Sequence, residues 1–133
     1  MTASVARLTV PERKRLPAEP KVWGSVRHAF GSPHCAVSVL HTALGGYCSR
    51  HWHKDRINRF LVVTGAIEVV YYSQDKETAR VPLTAGDQLD VPAEQIHRFE
   101  VIEPGIVVEV YWPSNSGQVQ AADIHRLDSG GRS

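Results

Sequence analysis

Seven histidines lie in the 133-residue chain, and three of them sit where they could do chemistry. His51 and His53 stand two apart in the β-rich run Tyr47 to His53. Alternate side chains of a strand point to the same face, so this spacing presents two imidazoles together and turns Trp52 the other way. Paired neutral imidazoles are ligands for a transition metal, which brings Lewis-acid or redox chemistry. A His-x-His pair alone is a weak signal, because solvated or core pairs arise by chance. His97 starts another strand-like run, Ile96 to Val101, whereas His28, His34, His41 and His125 have no partner at ligand spacing.

The elements that must carry these residues are short β-rich runs. They are Ala36 to Thr42, Tyr47 to His53, Ile57 to Thr64, Ile67 to Tyr72, Ala79 to Leu83, Gln88 to Val91, Ile96 to Val101 and Ile106 to Trp112. Breaks fall at Gly45-Gly46, Thr64-Gly65, Ser73 to Lys76, Ala85-Gly86-Asp87, Pro92 to Gln95 and Glu103-Pro104-Gly105. About eight strands at regular spacing predict an all-β sandwich or barrel. No central stretch reads as an amphipathic helix, which argues against a βαβ fold. Residues 1–20, with Pro11, Pro17, Pro20 and the Arg13-Lys14-Arg15 cluster, read as an extended N-terminal arm. Residues 21–128 then form one domain with its C-terminal segment, and 129–133 a flexible tail.

Composition narrows the partners. Fifteen Lys and Arg against fourteen Asp and Glu leave a formal charge of +1, too little field for non-specific nucleic-acid binding or membrane steering. Cys35 and Cys48 lack the spacing of a zinc knuckle or redox motif and read as buried or idle thiols. Neither a secretory signal nor a membrane-spanning apolar run is present, so a cytoplasmic protein is expected.

The layout around the histidines is more specific. Gly45 lies six residues before His51, Asn58 five after His53, and Gly65 seven after Asn58. In the second half Gly86 is followed six residues later by Pro92 and five after that by His97. Over residues 45–101 this resembles the cupin family, whose first motif runs Gly, His-x-His, Glu, Gly and whose second runs Gly, Pro-x-Gly, His, Asn. The resemblance implies a double-stranded β-helix, or jelly-roll barrel, in which His51, His53 and His97 converge on one metal. Asn58 stands where the family has its Glu ligand, Glu94 where it has a Gly, and Val101 where it has Asn. Loss of the carboxylate removes a negative charge, so a divalent ion would be held less tightly and stay more electrophilic, with the amide oxygen a poorer donor. Three imidazoles suit zinc, iron, manganese, nickel or copper alike.

The flanks resemble one branch of that family. Val22-Trp23-Gly24-Ser25, the segment His97-Arg98-Phe99-Glu100, Glu109-Val110 and the tail Asp123-Ile124-His125-Arg126-Leu127-Asp128 are similar to the cupin domain of type II phosphomannose isomerases. This implies a sugar or sugar phosphate as ligand and proton transfer between the carbons of an aldose and a ketose, with Glu94 or Glu109 as general base. Arg50, Arg56 and Arg98 are candidates to grip a phosphate, though alternation turns Arg98 away from His97. Phe60, Tyr71, Phe99 and Tyr111 are candidates to line the pocket, with a packed core as the competing reading. Two further functions fit the same residues: a three-histidine metal dioxygenase, and a non-catalytic ligand-binding or regulatory cupin. Small cupins often pair, so a homodimer is expected by analogy.

Overall fold

In the computed structural model, which describes residues 9–115 and 117–133, eleven strands join in one continuous antiparallel sheet that curls on itself. They are β1 (Glu19–Lys21), β2 (Gly24–Ser32), β3 (Cys35–Thr42), β4 (Gly46–Tyr47), β5 (His51–Trp52), β6 (Arg56–Ser73), β7 (Lys76–Thr84), β8 (Gln88–Val91), β9 (Ile96–Pro113), β10 (His125–Arg126) and β11 (Gly131–Arg132). No helix among the described residues is long and apolar enough to cross a membrane.

Two long strands make the barrel. β6 and β9 pair with each other along most of their length, from Arg56↔Pro113 to Tyr72↔Ile96. Their first and second halves also pair with different partners: β8 and β7 on β6, and β4, β5 and β3 on β9. Each long strand therefore serves both walls. The expected breaks at Thr64-Gly65 and Glu103-Pro104-Gly105 are instead corners inside these strands, where the register shifts between Val62 and Ile67. Gly65 has φ 79°, and a Cβ there would stand 2.6 Å from the Glu103 and Pro104 carbonyl oxygens. Only a residue without a side chain lets the two bends press together.

Alternation along the strands puts Leu40, Phe60, Val62, Val69, Phe99 and Val107 in one core, each at most 3% exposed. Trp23 closes on Phe99 edge to face, with ring centroids 5.0 Å apart. Cys35 and Cys48 are free thiols, and burial pushes that of Cys48 up to about 12. The last residues expected in the arm, Glu19 and Pro20, are already in β1, paired on β2. Residues 9–18 carry no strand and are exposed, while residues 1–8 of that arm lie outside the described residues. Residues 129–133, expected to trail freely, contain β11, which pairs on β4 through Gly131↔Tyr47 and Arg132↔Gly46. Two glycines make this docking possible, since a Cβ at Gly130 or Gly131 would run into Tyr47.

Candidate metal centre and its cavity

His51 on β5 lies directly opposite His97 on β9, and His53 follows in the loop that leads to β6. The ring centroids are 4.4 Å apart for His51 and His97, 4.9 Å for His51 and His53, and 5.5 Å for His53 and His97. Their ligand atoms all lie within 4.8 Å of one another, and all three side chains are buried.

What each ring can do is set by its other nitrogen. His51 Nδ1 meets the Ser49 carbonyl at 2.7 Å, His53 Nδ1 the Asp123 carbonyl at 2.7 Å, and His97 Nδ1 the Gln95 carbonyl at 2.8 Å. A carbonyl oxygen only accepts, so each Nδ1 carries the proton and each Nε2 carries a lone pair. Burial lowers the pKa of His51 to about 4 and, with the nearby Arg56 cation, that of His53 to about 3; burial also holds His97 well below the usual imidazole range. The rings are therefore neutral at physiological pH, as metal ligands must be.

Among the described residues the lone pairs have no donor to meet. His53 Nε2 is buried and has no hydrogen-bond partner among the described residues, an arrangement that costs about 1–3 kcal/mol when nothing fills it. His97 Nε2 faces Asn58 Oδ1 at 3.2 Å, because the Asn58 amide nitrogen is turned to Glu109 Oε2 at 3.3 Å. Two acceptors face each other there, which a cation between them would relieve. The donor set, three convergent imidazole nitrogens with an amide oxygen at its margin, fits a divalent transition metal.

Beside the trio opens a cavity of about 760 Å³, lined among others by His51, Arg56, Phe99, Glu109 and Tyr111. Glu109 faces it from β9, cross-strand from Ser38 and Phe60. Burial raises the Glu109 carboxyl above its ordinary range, against the pull of Tyr111 and Asn58. Glu94 stands elsewhere: it is exposed, has φ 72°, and borders a separate recess with Trp52 and Ile96. Of the expected aromatic lining, Phe99 and Tyr111 border the cavity, while Phe60 lies in the core and Tyr71 packs against it. Inward-facing positions serve both regions, and only the packing separates them.

The C-terminal segment supplies one wall, including Val119, Ile124 and Arg126. Asp123 fastens it twice: its carbonyl holds His53, and its carboxylate accepts from the Lys54 and Asp55 amides at 2.8 and 2.9 Å. β10 pairs on β5, which stacks His125 on Trp52 at 4.1 Å between centroids. Asp128 binds the Arg50 amide and guanidinium at 2.7 and 2.6 Å. Sequence reasoning marked this tail but not these contacts, since carbonyl acceptors leave no trace in residue identity.

No protein-family model matches the chain, and no curated protein matches it. Solved structures do. The capsular polysaccharide assembling protein CapF from Staphylococcus aureus superposes with TM-score 0.70 at 22% identity, over 87% of this chain and 35% of that one. An RmlC-like cupin from Shewanella frigidimarina gives 0.65 at 19% identity, over 77% and 87%. Oxalate decarboxylase from Bacillus subtilis gives 0.68 at 16% identity, over 84% and 30%. The chain thus spans about a third of the length of CapF and of the decarboxylase. Likenesses at this level of identity establish the fold.

Proposed function

We propose that this chain, a small cupin by fold, binds one divalent transition metal through His51, His53 and His97, with Asn58 at its margin, and acts on a sugar or sugar phosphate. The observation that carries the metal is the set of three Nε2 lone pairs held inward by three carbonyl clamps, one of them buried with no partner among the described residues. Manganese, named for the Mn(II) centres of oxalate decarboxylase, is one candidate beside zinc, iron, nickel and copper. The sugar reading is supported by the tail's similarity to type II phosphomannose isomerases and by CapF, a protein of capsular polysaccharide assembly.

When bound, the metal supplies Lewis acidity toward a carbonyl and its neighbouring hydroxyl. Glu109 is our candidate to move the proton: its carboxyl lines the cavity, and the Asn58 amide beside His97 donates to it. It takes the proton from the hydroxyl-bearing carbon and returns it to the adjacent carbonyl carbon, while the hydroxyl proton passes to the carbonyl oxygen, so aldose and ketose interconvert without net oxidation. Asn58 holds the carboxyl in place, and Trp23 and Phe99 give a sugar ring an apolar wall.

Elemental analysis of the purified protein tests the metal: one equivalent is expected, and less than a tenth with no uptake on reconstitution overturns it. Incubation with mannose 6-phosphate or fructose 6-phosphate in deuterated water tests the reaction. Deuterium should enter the substrate with the wild type and not with Glu109→Gln, metal content being equal; no exchange of either phosphate by the wild type would remove the sugar-phosphate isomerase reading.

A further inference from the structure

We infer that Arg56 is the anchor for a carboxylate group carried by the ligand of this cavity. Three arginines stand out in the sequence near the histidine motifs, and the fold treats them differently. Arg50 is spent on Asp128 and Asp75, and Arg98 on Glu100. Arg56 opens β6, is 6% exposed, lines the cavity, and forms no ion pair among the described residues. Its guanidinium lies over the Tyr111 ring, 3.9 Å from the centroid.

Its hydrogen-bond capacity is largely unused. One Nη1 proton goes to the Gln120 carbonyl at 3.1 Å. Nε lies 3.1 Å from His53 Nδ1, but that nitrogen already gives its proton to Asp123 and has no lone pair to offer. A guanidinium has five N–H donors, so most remain for the cavity. The two acids that feel its charge are engaged elsewhere: Asp123 with the Lys54 and Asp55 amides, Glu109 with Asn58.

A buried cation with no counter-ion is costly, and a ligand can supply the missing charge. The planar fork matches a carboxylate through two parallel N–H···O bonds. One buried positive charge is balanced by the one negative charge of a carboxylate. A carboxylate held there lies beside His53 and leaves the rest of the ligand in the cavity that His51 lines. At the rim, Arg126 stands cross-strand from His51, exposed and without an ion pair among the described residues, and adds attraction for an anion on entry. The inference gives the ligand of the proposed function its charge: a sugar acid. The anchor stands on Arg56 itself, and only the sugar rests on that earlier reading.

Calorimetric titration of the full chain, as purified, with malonate, glucuronate, glucose and mannose 6-phosphate tests it, using wild type, Arg56→Lys and Arg56→Gln of equal metal content and circular dichroism. Malonate and glucuronate should bind the wild type, weaken by about tenfold in Arg56→Lys, which keeps the charge and loses the fork, and weaken further in Arg56→Gln. Unchanged affinities in both variants, or no anion binding by the wild type, overturn the anchor. Tighter, Arg56-dependent binding of mannose 6-phosphate overturns the carboxylate. Arg56-dependent binding of malonate without glucuronate supports the anchor and overturns the sugar. Should the variants not fold, phenylglyoxal labelling of the wild type decides: malonate should protect the Arg56 peptide, and labelling at an unchanged rate overturns the proposal.

Discussion

Asp123 and His53 are 70 residues apart, yet the Asp123 carbonyl accepts the Nδ1 proton of His53 at 2.7 Å. The candidate metal centre is thus completed from outside the β5 and β9 region that carries its histidines. The Asp123 carboxylate holds the backbone just after His53 as well, so one residue fixes both the ring and the loop it rides on.

Replacing Asp123 with Ala keeps the carbonyl and removes the carboxylate clamps. Metal affinity should fall about tenfold, and Asn58→Ala should cost no more, since an amide oxygen is a weak ligand. His53→Ala should cost more than about 100-fold. Competition with a chromogenic chelator measures all three, and an Asn58→Ala loss equal to that of His53→Ala would show Asn58 to be a full ligand.

The tail should loosen in acid. Burial pushes the Asp128 carboxyl up, but the hydrogen bonds from Arg50 outweigh it and hold the group below its ordinary value of 3.8. A lowered folded-state pKa stabilises fully above the unfolded value and stops doing so as the pH falls through the folded one. The protection of the Arg50 and Leu127 amides, measured as exchange relative to the intrinsic rate at each pH, should therefore stay high at neutral pH and fall below about pH 4. In Asp128→Asn the difference between neutral and acid conditions should shrink; an unaltered difference would assign it to another group.

Phe60 is 1% exposed and packs in the core. Phe60→Ala should cost about 3–5 kcal/mol in urea unfolding, with sugar or anion affinity little changed in whatever protein remains folded. A large loss of affinity with stability intact would return Phe60 to the pocket.

Gly65 turns the corner of β6. Gly65→Ala places a methyl against the Glu103 and Pro104 carbonyls at a φ of 79°, and should destabilise by more than about 1–3 kcal/mol. Thermal unfolding measures it, and a neutral result would mean that the two corners can part.

Much of the barrel is legible in the sequence because alternation and turn residues act locally. The His-x-His spacing shows two imidazoles on one side, and Gly65 and Gly105 mark the corners. Alternation also turns Phe60, Tyr71, Phe99 and Tyr111 inward. It does not separate core from cavity, which depends on how the two walls diverge. β2 escapes a pattern reading because much of it is exposed, as at His28, Ala29, Phe30 and Gly31. Arg56 reads as one basic residue among several, and only the tertiary fold reveals that it is buried without an ion pair among the described residues. Glu94 and Glu109 look equivalent until the turn at Glu94 takes it outside.

The order in which a ribosome makes the chain now matters. A synthesis rate of about 5–20 residues per second puts roughly 4–14 s between His53 and Asp123. His97 also emerges long before the carbonyl that clamps His53. A nascent chain could expose its histidines to cellular metals during that interval, but the clamped geometry becomes available only after the tail has arrived. A metal that needs the clamped geometry would therefore be taken up only once Asp123 has emerged.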